Sequence, residues 1–205
     1  MASYDRRDHF HQRAKREGYR SRAAYKLLEI QQRHRLLRPG QRIVDLGCWP
    51  GGWLQVAARV VGPRGLVVGV DLAVIEPALE NENVIAYCGD VSDPEIAARV
   101  LADLGGPADV LLCDAAPKLT GVRATDRARE ETLLEALEIV IPTLLRENGD
   151  LLLKILEAPE AAAIDRRIRR AFGRATTVKP ASSRRGSSER YLLARGYEMR
   201  MSSQN

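Results

Sequence analysis

Residues 44–53 read Val-Asp-Leu-Gly-Cys-Trp-Pro-Gly-Gly-Trp and follow directly on Arg42-Ile43. An apolar run that ends in a glycine turn and opens a helical stretch is the first half of a βαβ unit. Dinucleotide-binding turns place glycine at the first, third and sixth positions so that backbone can press against a pyrophosphate. Here Gly47 and Gly52 hold the first and sixth places, whereas Trp49 holds the third. The turn therefore suits a nucleoside-like ligand that brings no phosphate to this point.

Outward from the turn, residues 51–61 (GGWLQVAARVV) carry a helical pattern and residues 65–72 (GLVVGVDL) form the second strand. Further strands are expected at 84–87, 110–113, 150–155, 175–179 and 190–195, with helices at 94–104, 128–146 and 159–172. The alternation implies a mostly parallel seven-stranded sheet with helices on both faces. The link at 180–188, PASSRRGSS, lacks helical periodicity, so the last strand should run antiparallel as half of a hairpin. This α/β, Rossmann-like order is the usual architecture of class I S-adenosylmethionine-dependent methyltransferases. Ahead of it, residues 21–37 read as an amphipathic helix with Ser21 as N-cap.

With 205 residues, a single domain is expected: a basic extension and helix (1–39), a catalytic core (40–196) and a flexible tail (197–205). Cys48, Cys88 and Cys113 form no CxxC pair, which argues against disulfides and zinc and suits small buried thiols in a reducing compartment. No apolar run approaches the ~18 residues of a membrane span, and the N-terminus is polar. A cytoplasmic monomer without membrane attachment is expected. The net charge of +5 is segregated along the chain. Residues 1–70 hold 14 basic against 5 acidic residues, 71–163 hold 7 against 19, and 164–205 hold 11 against 3. If both ends meet on one face, that face attracts polyanions, nucleic acid first. Otherwise they are two solvated basic helices.

Ligands of open α/β sheets lie beyond the carboxyl ends of the strands. Four aspartates stand there: Asp45, Asp71, Asp90 and Asp114, one after each of the first four strands. Any one of them could be turn chemistry. S-adenosylmethionine accounts for the set, because it offers ribose hydroxyls to Asp71, an adenine amino group to Asp90 and a cationic amino group, without phosphate. Gly47, Gly51 and Gly52 would let backbone approach its methionine moiety, Pro50 would stiffen the turn, and Trp53 would open the next helix.

The stretches DLGCWPGGW, GVDL, GDVSD, CDAAPKLTG, LLLKIL and KPASSRRGSSERYLLA, in this order and spacing, resemble the FtsJ/RrmJ-like heat-shock ribosomal RNA 2′-O-methyltransferases over about Tyr19–Gly196. The resemblance implies a Lys-Asp-Lys-Glu tetrad at Lys26, Asp114, Lys154 and Glu189. It also implies a uridine of large-subunit ribosomal RNA, in the assembled subunit, as target. The setting of Lys154 agrees, since an ammonium inside LLLKIL is costly to bury unless a carboxylate such as Asp114 holds it. A lysine so placed could take the proton of a ribose hydroxyl. Taken alone, Lys26 is one more cation on a basic helix, and Glu189 could pair with Arg190 or Arg185. No metal is required, and His9, His11 and His34 belong to the basic surface. Arg6, Arg7, Arg13, Lys15, Arg16, Arg20 and Arg22, with Lys179, Arg184 and Arg185, would grip phosphates around the target ribose. Cys48-Trp49, Lys118 and the LEAPE segment after Ile155 depart from the family's habit. Three rival readings are a nicotinamide oxidoreductase, a noncatalytic RNA-binding protein, and the same chemistry on transfer RNA.

Overall fold

The computed structural model describes residues 9–116, 120–155, 162–183 and 189–199. Arg6, Arg7, Lys118, LEAPE (156–160), Arg184 and Arg185 fall outside these residues. Two short helices, α1 (His9–Arg16) and α2 (Ala24–His34), precede the core. The core follows as β1 (Arg42–Leu46), α3 (Gly52–Val61), β2 (Leu66–Asp71), β3 (Val84–Cys88), α4 (Pro94–Leu104), β4 (Ala108–Cys113) and α5 (Arg123–Leu144). It ends with β5 (Leu145–Ile155), α6 (Ala162–Arg170), β6 (Phe172–Val178) and β7 (Arg190–Tyr197).

The sheet order is β3-β2-β1-β4-β5-β7-β6. Strands β1 to β5 pair in parallel, and β7 lies antiparallel between β5 and β6. Strand order reverses between β1 and β4, which opens a crevice at the carboxyl ends of those strands. β1 is buried along Ile43–Leu46 because both of its faces are covered. One apolar layer, with Val100, Leu134, Leu137 and Ile168, packs α4, α5 and α6 on the sheet. The other, with Leu27, Ile30, Trp53 and Leu54, packs α1, α2 and α3 on the opposite face.

Four local expectations need correction. Ser21 does not cap α2: residues 21–23 close a tight turn in which Ala24 N–H donates to Ser21 O at 3.3 Å, so the serine is drawn inside the turn. The helix ends at His34, since Arg35 adopts a left-handed conformation (φ 49°) that sends Leu36 and Leu37 into the core. Tyr197 is no part of a tail; it is buried at the end of β7, 5.4 Å from the Phe172 ring. Cys48 and Cys113 are buried, but Cys88 is exposed because β3 is an edge strand.

Candidate active site

The insertion of β7 beside β5 brings Glu189 to the centre of the molecule. In the β5–β7 ladder Lys154 stands opposite Tyr191, and Glu189 immediately precedes β7. Asp114 follows β4, the other neighbour of β5, so Lys154 Nζ lies 3.1 Å from Asp114 Oδ1 and also donates to the Asp114 carbonyl. From the opposite side α2 supplies Lys26, whose Nζ is 2.8 Å from Glu189 Oε2 and 3.9 Å from Asp114 Oδ2. The four side chains are only 10–15% exposed, so two ammonium groups and two carboxylates neutralise one another in a mostly dry cluster. Burial pushes the Glu189 carboxyl up, but the Lys26 ammonium beside it, with Lys154 and the Ser183 hydroxyl, outweighs this and holds it below its ordinary value.

Sequence reasoning missed Tyr191. Its fully buried hydroxyl donates to Asp114 Oδ1 at 2.7 Å, and Lys26 Nζ lies 5.8 Å from its ring centroid. The missed signal was period: Tyr191 alternates with Arg190, on the face of β7 that meets α2 and α3. Glu29 was missed too. It accepts from Ala181 N–H at 2.9 Å, from Ser182 N–H at 3.1 Å and from the Ser182 hydroxyl at 3.2 Å, and so fastens α2 to the β6–β7 connection. Arg22 adds a bond to Ser182 O at 2.6 Å. The basic N-terminal helices and the β6–β7 hairpin therefore meet at the tetrad. Several of the cations expected at a phosphate are already engaged, however: Arg13 with Glu17, and Arg20 with the carbonyls of Pro77 and Ala78. Lys15 and Arg16 are exposed.

Beside the tetrad lies a cleft of about 790 Å³, walled by Gly47, Trp49, Asp71, Leu72, Asp90, Ser92 and Asp114 and by the Thr125–Ala136 side of α5. Asp71 accepts from Trp49 N–H and Ala73 N–H, both at 2.9 Å, which aims its carboxylate from the end of β2. Asp90 accepts at 2.8 Å from the backbone N–H and from the hydroxyl of Ser92, and these bonds, the backbone one first, hold its carboxyl below the ordinary range. Gly47 adopts φ +74°, and a Cβ there would come within 2.5 Å of Ala115 Cβ, so only glycine lets the turn lie against the β4 loop. Gly51 caps α3 in a left-handed conformation, and a Cβ on Gly52 would meet Ser21 Oγ at 2.4 Å. Gly51, Gly52 and Trp53 thus act as scaffold around the turn: Trp53 is buried, donates to Ala23 O at 2.8 Å and lies 5.7 Å from the Tyr191 ring. Three carboxylates facing a cleft, with no glycine at position 49 to admit a pyrophosphate, fit a cationic nucleoside better than a dinucleotide.

Asp45 is placed differently from the other three aspartates. It is 0% exposed, it does not line the cleft, and neither carboxylate oxygen has a hydrogen-bond partner among the described residues. Burial pushes its carboxyl well above the ordinary range, and the Asp114 and Asp71 carboxylates add to the effect. A carboxyl raised on folding takes up a proton when the chain folds, so its contribution to stability declines as pH rises above the ordinary carboxyl range. Asp45→Asn, a neutral isostere, is expected to melt higher than the unaltered protein at pH 8, with the gap closing towards pH 4. Thermal melts at the two pH values check this, and a gap independent of pH would refute it.

The FtsJ-like methyltransferase family profile matches residues 19–197, which hold the entire cleft and tetrad. The chain belongs to the FtsJ-like methyltransferase family. Ribosomal RNA large subunit methyltransferase E of Methanothermobacter thermautotrophicus is 42% identical over 94% of this chain and 91% of its own length. The protein of the same name from Syntrophobacter fumaroxidans is 43% identical over 93% of the chain and 96% of its own length. Among solved structures, a ribosomal RNA methyltransferase of Plasmodium falciparum superposes with a TM-score of 0.77 at 25% identity, covering 89% of this chain and all of that one. Fibrillarin of Aeropyrum pernix, solved with S-adenosylmethionine bound, shares the fold at a TM-score of 0.60 and 19% identity, over 86% of this chain and 75% of that one. As an FtsJ-like methyltransferase the chain uses S-adenosylmethionine, and the cleft beside β1 and β2 presents carboxylate acceptors that suit its hydroxyl and amino donors. Among the described residues no helix is long and apolar enough to cross a membrane.

Proposed function

We propose that this FtsJ-like methyltransferase methylates a ribose 2′-oxygen of large-subunit ribosomal RNA, on a uridine, and that it does so in the assembled subunit. The observation that carries the reading is the cluster of Lys154, Asp114, Lys26 and Glu189, which opens on the same crevice as the cofactor cleft through Asp114. When bound, S-adenosylmethionine supplies an electrophilic methyl group on a sulfonium. Asp71 and Asp90 are the acceptors for its ribose and adenine donors, and the Gly47 turn brings backbone to its methionine end. A ribose hydroxyl is a weak nucleophile until its proton is accepted, and the amine of Lys154 is the base in reach. Asp114 fixes the lysine by two contacts, one from its carboxylate and one from its carbonyl, so that Nζ has little freedom left. Lys26 and Glu189, tied to each other, brace the far side of Asp114. Alignment of hydroxyl, base and methyl donor then supplies most of the rate.

Lys15 and Arg16 on α1, with the other cations of the N-terminal segment, would hold phosphates near the target ribose. Such contacts weaken steeply with salt, whereas cofactor binding should barely change. The test is transfer of labelled methyl groups to intact large subunits, naked ribosomal RNA and transfer RNA in parallel, at low and high salt. Label on a ribose of the subunit, lost steeply as salt rises, is the expected result. Label on transfer RNA alone would overturn the substrate, and label on none would overturn the function.

A further inference from the structure

We infer that Trp49 is a stacking platform for an unpaired nucleobase of the RNA substrate, an inference that rests on the function proposed above. The indole is 58% exposed although it sits in a tight turn and forms part of the wall of the cleft. It is the only aromatic among the large, exposed apolar side chains of the described residues, and Leu72 (75% exposed) and Val74 (57%) prolong its apolar rim.

Its root is rigid. Trp49 N–H donates to Asp71 Oδ2 at 2.9 Å, so the carboxylate at the cleft wall also fixes where the indole starts. The following residues are held from the other side: Arg20 bonds to the carbonyls of Pro50, Pro77 and Ala78, and its Cδ would stand 3.2 Å from a Cβ on Gly51. Trp49 therefore stands on the rim between the cofactor cleft and the segment that carries the basic α1. A polyanion held by that segment lies on the Arg20 side of the turn that carries the indole. Single-stranded RNA offers flat faces to such a ring, and one base–aromatic stack changes affinity by about ten- to a hundredfold.

The chain holds two tryptophans, and Trp53 is only 3% exposed, so the red-shifted part of the emission belongs to Trp49. Titrating a short single-stranded uridine oligonucleotide into the full chain is expected to quench that emission, and the response should vanish in Trp49→Phe. In steady-state assays Trp49→Ala should raise KM for the RNA by about ten- to a hundredfold, well beyond any weakening of the cofactor Kd, and Trp49→Phe should recover most of the loss. An unchanged RNA KM in Trp49→Ala, or an emission that ignores RNA, would overturn the inference. Quenching by S-adenosylmethionine alone, with a cofactor Kd weakened as much as the RNA KM, would overturn it too and assign the indole to the cofactor. The titration needs no turnover, so a chain that binds and quenches on RNA yet methylates none would count against the proposed function and leave the stacking platform standing.

Discussion

Lys154→Ala is expected to lower kcat by about 10²- to 10⁴-fold, the usual loss on removing a general base, with little change in KM for RNA or in cofactor Kd. The lysine sits at the end of β5 with its side chain 10% exposed, and its nitrogen is held by two oxygens of Asp114. It does not line the cofactor cleft, which is why binding should survive. Lys154→Arg separates the two roles that a cation could have here. A guanidinium restores the positive charge but cannot give up its proton, so it cannot serve as a base. The arginine variant should therefore be about as inactive as the alanine variant. Substantial recovery in arginine would mean that charge, not proton acceptance, is what position 154 contributes. Single-turnover methyl transfer with saturating RNA and cofactor reads the chemical step directly. The fold should tolerate either change, since Lys26 and the Tyr191 hydroxyl remain to compensate Asp114.

Most of the architecture was legible in the sequence because strands buried on both faces write themselves as apolar runs. Val67–Val70, Val110–Cys113 and Leu151–Leu153 are of this kind, and all lie where the runs place them. The reversed last strand was legible from a polar, non-helical connection. Boundaries governed by local conformation were not: the left-handed Arg35, the inward turn at Ser21 and the shift of β6 to Phe172 depend on what the neighbouring elements cover. Within the site, Asp71, Asp90 and Gly47 could be placed from strand ends alone, and the structure sets them around one cleft. Lys26 and Glu189 could not, because they are 163 positions apart and their 2.8 Å contact exists only once β7 is inserted beside β5. Asp45 looked like its three counterparts in sequence. It differs because it lies within β1, opposite Gly69 and Leu112 of the flanking strands, so its carboxyl is sealed in, whereas Asp71 ends β2 and Asp90 and Asp114 lie beyond β3 and β4 at the crevice.

Asp114→Asn should be the most damaging conservative change in the chain. The carboxylate holds Lys154 at 3.1 Å, accepts from Tyr191 at 2.7 Å, lies 3.9 Å from Lys26 and also lines the cofactor cleft. Replacing it with an amide leaves two ammonium groups facing one remaining carboxylate, Glu189, in a cluster only 10–15% exposed. The amide nitrogen must also point a donor at groups that themselves donate. Turnover is expected to fall by at least about 10³-fold, since base orientation and cofactor contact fail together. Stability should fall by about 2 kcal/mol, less than for a fully dry ion pair because the cluster keeps some contact with solvent. For a chain of this size that is a drop in Tm of roughly 4–8 °C. The decisive measurement is a double-mutant cycle with Lys154→Met. If Asp114 is costly to lose because it leaves Lys154 buried without its partner, the pair should be about 1–2 kcal/mol less destabilising than the sum of the single changes. The double variant should also turn over no more slowly than the worse of the two, as expected of residues that act as one unit. Additive stabilities would mean that Asp114 is held in place for the cofactor and the backbone rather than for the lysine, and the base would then need another orienting partner.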